Sequence, residues 1–263
     1  MPSGQDESPK KVAAVVESWR RIETWLETHL PACKLTLKPG LSKTNLAKFE
    51  KAIGAALPED VRRSWLIHDG QRLLPDDELD ALNEAHFEED EDSDYEYPNF
   101  IGLIFGHGLL NFLTRDCPMT GKSALGEWQG WAKMADEGYD ASLNQWQTSS
   151  PEGSIKLCYA NRGWIPLVAL TDVDYIGVDL DPGPSGVIGQ VINFGRDEEK
   201  KYVLATSWAQ FLSDVADEWK AGNFAIDLRE EFEEFRMIRP RLGRLRANVK
   251  EWSAAKIAGH LIQ

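Results

Sequence analysis

The stretch WIPLVALTDVDYIGVDLDPGPSGVIGQVINF, residues 164–194, decides the fold class. Three apolar runs, Trp164 to Leu170, Tyr175 to Leu180 and Gly189 to Phe194, are rich in Val and Ile. Each is too short for a helix, and Gly, Pro and Asp separate them, which marks successive strands joined by turns. Further runs at Ile155 to Tyr159 and Tyr202 to Ala205 extend the pattern to a largely antiparallel meander. Asp181-Pro182-Gly183-Pro184-Ser185-Gly186 is its most pronounced turn.

Helical signals flank the strands on both sides. Val15, Trp19, Ile22, Leu26 and Leu30 step by three or four and mark the stripe of a first helix ending near Pro31. Ser42 caps a second helix with Leu46, Phe49 and Ile53 on its core face. In a third, Pro58 suits the first position, Glu59 and Asp60 favour the positive end of the dipole, Val61 and Trp65 face inward, and Gly70 serves as the left-handed stop. Leu125, Trp128, Trp131 and Met134 give another amphipathic helix, entered at Ser123. Ser207 and Gln210 form a capping box ahead of Trp208, Phe211, Leu212, Val215 and Trp219. The expected architecture is α+β, a central, mostly antiparallel sheet of about five or six strands with helices packed before and after it.

Length and composition fit this reading. The 263 residues, 42% hydrophobic and 27% charged, can bury a core without disulfides or metals. The three cysteines, Cys33, Cys117 and Cys158, form no CxxC pair, and neither a signal-peptide core nor a membrane-length apolar run is present. A cytoplasmic protein with no membrane contact is expected. Of the net charge of −14, twelve carboxylates with no Lys or Arg lie between Asp76 and Glu96, which leaves −2 for the remainder. From Phe235 onward the balance reverses, with Arg236, Arg239, Arg241, Arg244, Arg246, Lys250 and Lys256 against Glu251. The expected organisation is a flexible tail over 1–14, an α+β domain over 15–221 with an acidic insert at 76–96, and a basic helical extension over 222–263.

Catalytic motifs are weak. Thr120-Gly121-Lys122-Ser123 ends like a phosphate loop, but Asp116 stands where that loop needs another Gly. Gly183, Gly186 and Gly189 have the wrong spacing for a dinucleotide fingerprint and read as turn glycines. Asp172, Asp174, Asp179 and Asp181 cluster at strand ends without the spacing of a calcium loop. His29, His68, His86, His107 and His260 are scattered, and no Gly-x-Ser-x-Gly occurs. No catalytic residue, metal ligand or cofactor is assigned. Trp128, Trp131, Trp146 and Trp164 lie near polar or Gly-rich segments, where a large aromatic serves a core or an interface equally well.

The motifs taken in order resemble the SUKH superfamily. They are Gly40-Leu41-Ser42, Phe49-Glu50, Ile53-Gly54, Leu57-Pro58-Glu59-Asp60-Val61-Arg62 and His68-Asp69-Gly70-Gln71, followed by Gly102-Leu103-Ile104-Phe105-Gly106. Trp164-Ile165-Pro166-Leu167, Gly177-Val178-Asp179-Leu180-Asp181-Pro182, Gly189-Gln190-Val191-Ile192 and Ser207-Trp208-Ala209-Gln210-Phe211-Leu212 complete the series. The resemblance covers Ser18 to Trp219. It implies an α+β domain that binds other proteins, as do bacterial immunity proteins that neutralise toxins and fungal cell-wall assembly regulators of the Smi/Knr type. The chain lacks the long Ser- and Gln-rich extensions usual in the fungal regulators, which favours a compact bacterial member. The leading expectation is therefore a non-catalytic, immunity-type inhibitor of a secreted toxin, and the alternative is a cell-wall or signalling regulator that scaffolds proteins. The partner is another protein, a basic nuclease-type toxin in the leading case, with no direct nucleic acid. Candidate partner-binding residues are Trp164, at a sheet rim with Asp179 and Asp181, and Glu88, Glu89, Asp90, Glu91 and Asp92 of the acidic insert, whose charge would steer association.

Overall fold

The computed structural model of the chain describes residues 8–72, 78, 123–138, 141–227, 234–237 and 245–260. The acidic insert apart from Glu78, the run from Phe100 to Leu113, Thr120 to Lys122, and Arg239, Arg241 and Arg244 lie outside the described residues.

Helix α1 (Ser8–His29) begins within the stretch expected to be a tail, and its buried stripe is Val15, Trp19, Ile22 and Leu26. After a short α2 (Pro31–Leu35) and β1 (Leu37–Pro39), α3 (Lys43–Ile53) starts as expected. Ser42 Oγ accepts from Asn45 N, and Gly54 closes the helix at φ 71°. Helix α4 (Glu59–Ile67) ends earlier than expected because His68 turns extended and opens β2 (His68–Gln71), which pairs with β1. Gly70, at φ 75°, therefore sits inside a strand and is not the helix stop.

The second half holds α5 (Ala124–Glu137), β3 (Thr148–Ser150), β4 (Trp164–Ala169), β5 (Asp174–Asp179), β6 (Gln190–Gly195), β7 (Lys200–Ala205) and α6 (Trp208–Lys220). The sheet order is β3-β7-β6-β5-β4, with β4 through β7 antiparallel and β3 parallel to β7. Every residue of β4, β5 and β6 is buried, which is why these strands read as continuous apolar runs and lack the in-out alternation of a half-solvated sheet. Strands β4 and β5 approach so closely that a Cβ on Gly177 would lie 2.0 Å from Ile165 O. On one face, Trp131 of α5 meets Tyr175 and Phe194 edge-on. Helix α6 packs on β6 and β7, and α1 packs across α4 and α6.

Polar links join elements far apart in sequence. Asp60, buried at the start of α4, accepts from its neighbour Val61 N and from Ala209 N in the first turn of α6, at 3.0 Å each, so one carboxylate serves two helix N-termini. Trp19 Nε1 of α1 donates to Ser64 Oγ of α4 at 2.9 Å. Ser207 caps α6 by accepting from Gln210 N, whereas the Gln210 side chain turns forward to Asp214, so half of the expected capping box forms.

The C-terminal region adds a hairpin ahead of a helix, where only helices were expected. It contains a hairpin, β8 (Phe224–Asp227) with β9 (Glu234–Met237), before α7 (Val249–His260), which packs on β7. Trp252 Nε1 donates to Leu204 O at 3.2 Å, and its ring lies 5.8 Å from that of Phe211. Arg246 reaches the buried carboxylates of Asp174 at 3.0 Å and Glu198 at 2.9 Å. This basic residue thus clamps the C-terminal segment to the sheet.

Candidate interaction surface

The loops at one end of the sheet form the candidate site. Strand β3 ends there and β4 begins there on the opposite sheet edge, so the 151–163 connection must cross the full width of the sheet. The loop 180–189 joins β5 to β6 at the same end. Ile155 to Tyr159, expected as a strand, belongs to the crossing loop. Its backbone is held by side chains instead of a ladder: Ser149 Oγ accepts from Ile155 N at 3.0 Å, and Asn144 Oδ1 accepts from Tyr159 N at 2.8 Å.

The two loops are laced together. Gly183 N donates to Ser154 O and Ser185 N to Gly153 O, each at 3.0 Å. Gln190 Nε2 donates to Ser154 O at 2.8 Å and to Asp179 Oδ2 at 3.0 Å, while Gln190 Oε1 accepts from Val187 N at 3.1 Å. Asp179 Oδ1 accepts from Asp181 N at 2.9 Å. Asp181 in turn accepts from Asn161 Nδ2 at 3.0 Å and pairs with Lys156. Burial pushes the Asp179 carboxyl up to about 6. For half-exposed Asp181, burial acts in the same direction, but Lys156 and Asn161 outweigh it and hold the carboxyl below its usual range.

This scaffold presents apolar side chains to solvent. Among the described residues, Trp146, Leu157, Val187 and Ile188 are large hydrophobics more than half exposed, and Ile188 reaches 73%. Trp146 belongs to the 3-10 helix 141–146, which Asn144 ties to the crossing loop. Ile188 and Gly189 border a groove of about 330 Å³ with Leu57, Pro58, Lys11 and Ser207. Gly189 holds φ 87° there, where a Cβ would come within 3.1 Å of Pro58.

The sequence-predicted residues separate in this frame. Trp164 is not a surface anchor: it is wholly buried, with Phe194 at 5.5 Å and the Lys201 ammonium 5.2 Å from its ring. Lys201, also buried, donates to Glu198 O at 3.0 Å and to Gln147 Oε1, and burial pulls it down to about 8. Asp179 is buried and organises the loops, so it offers no face to a partner, whereas Asp181 lies at the surface. Glu88, Glu89, Asp90, Glu91 and Asp92 lie outside the described residues. Trp128 and Trp131 are buried, and Trp146 is the exposed member of that group. Sequence reasoning missed Val187 and Ile188; two β-branched apolar residues inside a Pro- and Gly-rich turn were the available signal.

The described residues contain no group of three or more His, Cys, Asp or Glu that could hold a metal ion. Burial raises both described thiols, Cys33 to about 12 and Cys158 above its usual range, which keeps them protonated at neutral pH. Among the described residues, no helix is long and apolar enough to cross a membrane.

The sequence profile of the SMI1 / KNR4 family (SUKH-1) matches residues 40–214. The chain is 33% identical over 229 residues to a cell wall biosynthesis/cell cycle regulator, smi1, of Schizosaccharomyces pombe, covering 86% of this chain and 40% of that protein. It is 32% identical over 267 residues to a KNR4/SMI1 homolog of Yarrowia lipolytica, covering 85% and 32%. To the cell wall assembly regulator SMI1 of Saccharomyces cerevisiae it is 27% identical over 245 residues, covering 86% and 45%. The chain thus spans 32% to 45% of the length of these curated relatives. All three are fungal, and nothing among them supports the compact bacterial member expected from the absence of Ser- and Gln-rich extensions.

Proposed function

The chain belongs to the SMI1 / KNR4 family (SUKH-1), and from that premise we propose that it is a non-catalytic protein-binding module of a cell-wall assembly regulator. In this reading the loop end of the sheet is its docking surface. The observation that carries it is the set of exposed apolar side chains Leu157, Val187 and Ile188 on loops fixed by side-chain hydrogen bonds, with Trp146 exposed on the 3-10 helix that Asn144 ties to the crossing loop. Large apolar groups on a pre-ordered backbone bind with little ordering entropy, which is the usual construction of an interface anchor. The printed names of the relatives support the cell-wall setting. The toxin-immunity reading has no matching support among them.

The test is a graft. The matching segment of the Schizosaccharomyces pombe relative is replaced by residues 8–260 of this chain, and growth on a wall-perturbing agent is scored. The graft should restore growth, and the Val187→Asp/Ile188→Asp form, expressed at equal level, should not. Equal growth from both would remove the loop surface from the function, and failure of a well-folded graft would sink the cell-wall assignment.

A further inference from the structure

Asp179 stands at the root of the 180–189 loop and, through Gln190, is linked to the crossing loop. It is wholly buried, and each of its oxygens accepts from an N–H: Oδ1 from Asp181 N at 2.9 Å and Oδ2 from Gln190 Nε2 at 3.0 Å. Its own carbonyl accepts from Gly189 N at 2.8 Å, so this residue holds both ends of the 180–189 loop. Gln190, the second member of the pair, extends the hold to Ser154 O in the crossing loop and to Val187 N beside Ile188.

A carboxylate accepts at both oxygens, whereas a carboxylic acid must donate from one of them. A proton arriving on Asp179 from solvent removes the charge that strengthens both hydrogen bonds and turns one oxygen into a hydroxyl, a poorer acceptor, so the hold on Gln190 or on Asp181 N weakens. Weakening at Asp181 N loosens the start of the loop, and weakening at Gln190 loosens the side chain that ties Val187 N to Ser154 O. We propose that Asp179 is an acid-sensitive latch, whose protonation releases the 180–189 loop and with it the placement of Val187 and Ile188. The consequence for partner binding rests on the reading that this loop end is the docking surface; the latch itself does not.

The surroundings set the sense of the response. Burial favours the neutral acid and places the transition near pH 6, well above that of an exposed Asp. The nearby charges are Asp181, on the same loop, which raises Asp179, and Lys156, from the crossing loop, which lowers it. The Cys158 thiol of the crossing loop is also near enough to feel Asp179. The cross-strand partners, Trp164 on β4 and Gln190 on β6, are uncharged. The carboxylate form, with the loop latched, prevails above the transition, and the released form prevails below it.

Amide hydrogen exchange of the chain alone tests this without any partner. After correction for the intrinsic pH dependence of exchange, the N–H groups of Gly183, Ser185 and Gly189 should exchange about 10-fold faster at pH 5 than at pH 7.5, a local opening with the amides of β5 and β6 unchanged. Asp179→Asn, which presents an NH₂ where one oxygen accepted, should exchange fast at both pH values with no step. Lys156→Met, an exposed change, should move the midpoint upward, because an ammonium that favours the charged form is gone; this variant decides the matter alone should Asp179→Asn fail to fold. A flat profile in the wild type, a step that persists in Asp179→Asn, an unmoved midpoint in Lys156→Met, or loops and strands losing protection together would each overturn the latch. A normal latch with a graft that grows equally well with and without Val187→Asp/Ile188→Asp would instead place the error in the docking surface.

Discussion

Replacing Arg246 by Gln removes the clamp between the C-terminal segment and the sheet. The guanidinium bridges Asp174, at 0% exposure, and Glu198, at 8%, at 3.0 and 2.9 Å. Asp174 keeps hydrogen bonds from Thr171 Oγ1 and Asp197 N, and Glu198 keeps Asn193, but two buried negative charges then face each other without their cation. Stripping one partner from a fully buried pair costs about 3 to 5 kcal/mol. Because the Arg246 side chain is 35% exposed and water can take part of its place, about 2 to 3 kcal/mol is expected. Burial already raises Glu198, and Arg246 is a principal group pulling it back, so the variant raises it further. A carboxyl whose folded value lies above its unfolded one loses stability as pH rises through that folded value, so the defect should be larger at pH 8 than at pH 5. Urea melts at the two pH values, with the slope m checked for constancy, measure this directly. A midpoint change equivalent to less than about 0.5 kcal/mol at both pH values would show that Arg246 does not hold the C-terminal segment on the sheet.

Three further outcomes follow from the packing. Trp252→Ala should cost about 3 to 5 kcal/mol, since the ring is 2% exposed and its Nε1 satisfies Leu204 O; an unaltered melt would detach α7 from the core. Lys201, lowered by burial to about 8, loses its proton in the folded chain before the unfolded chain does, so wild-type stability should gain between about pH 8 and 10 relative to Lys201→Met; parallel pH profiles would refute the buried ammonium. Ile188→Asp, at a 73% exposed position, should leave the melting temperature within about 2 °C while weakening partner binding at least tenfold; a large drop in melting temperature would mean that the side chain packs inward.

Elements specified by near neighbours were legible in the sequence. Ser42, Ser123 and Ser207 each accept from a backbone N–H three residues on, and each marks its helix start correctly. Strands β4 to β6 show as apolar runs because both faces of the sheet are covered. The apolar stripes of α1, α3 and α6 are those the periodicity selects. The sequence places Asp179 and Asp181 at a rim of the sheet, but nothing local in it tells the buried one from the exposed one.

The remainder depended on partners distant along the chain. Ile155 to Tyr159 has strand composition, yet crossing from one sheet edge to the other leaves no ladder for it to join, and Ser149 and Asn144 hold it as loop. Trp164 stands at the start of an edge strand, and its burial follows from Phe194 and Lys201 arriving from β6 and β7. Gly70 becomes a strand residue because β1, thirty residues earlier, supplies its partner. Asp60 reads as a helix-dipole acid, but the fold brings Ala209 N to its second oxygen. Arg246 reads as one of seven basic residues, and the sheet sets it against Asp174 and Glu198. Periodicity and capping act over a few residues and are therefore written locally, so the sequence by itself determined the main helices, strands β4 to β7 and the α+β class. Which polar groups are buried together, and which apolar ones are left at the surface, depends on the order in which strands and helices stack, and the tertiary structure alone decided it.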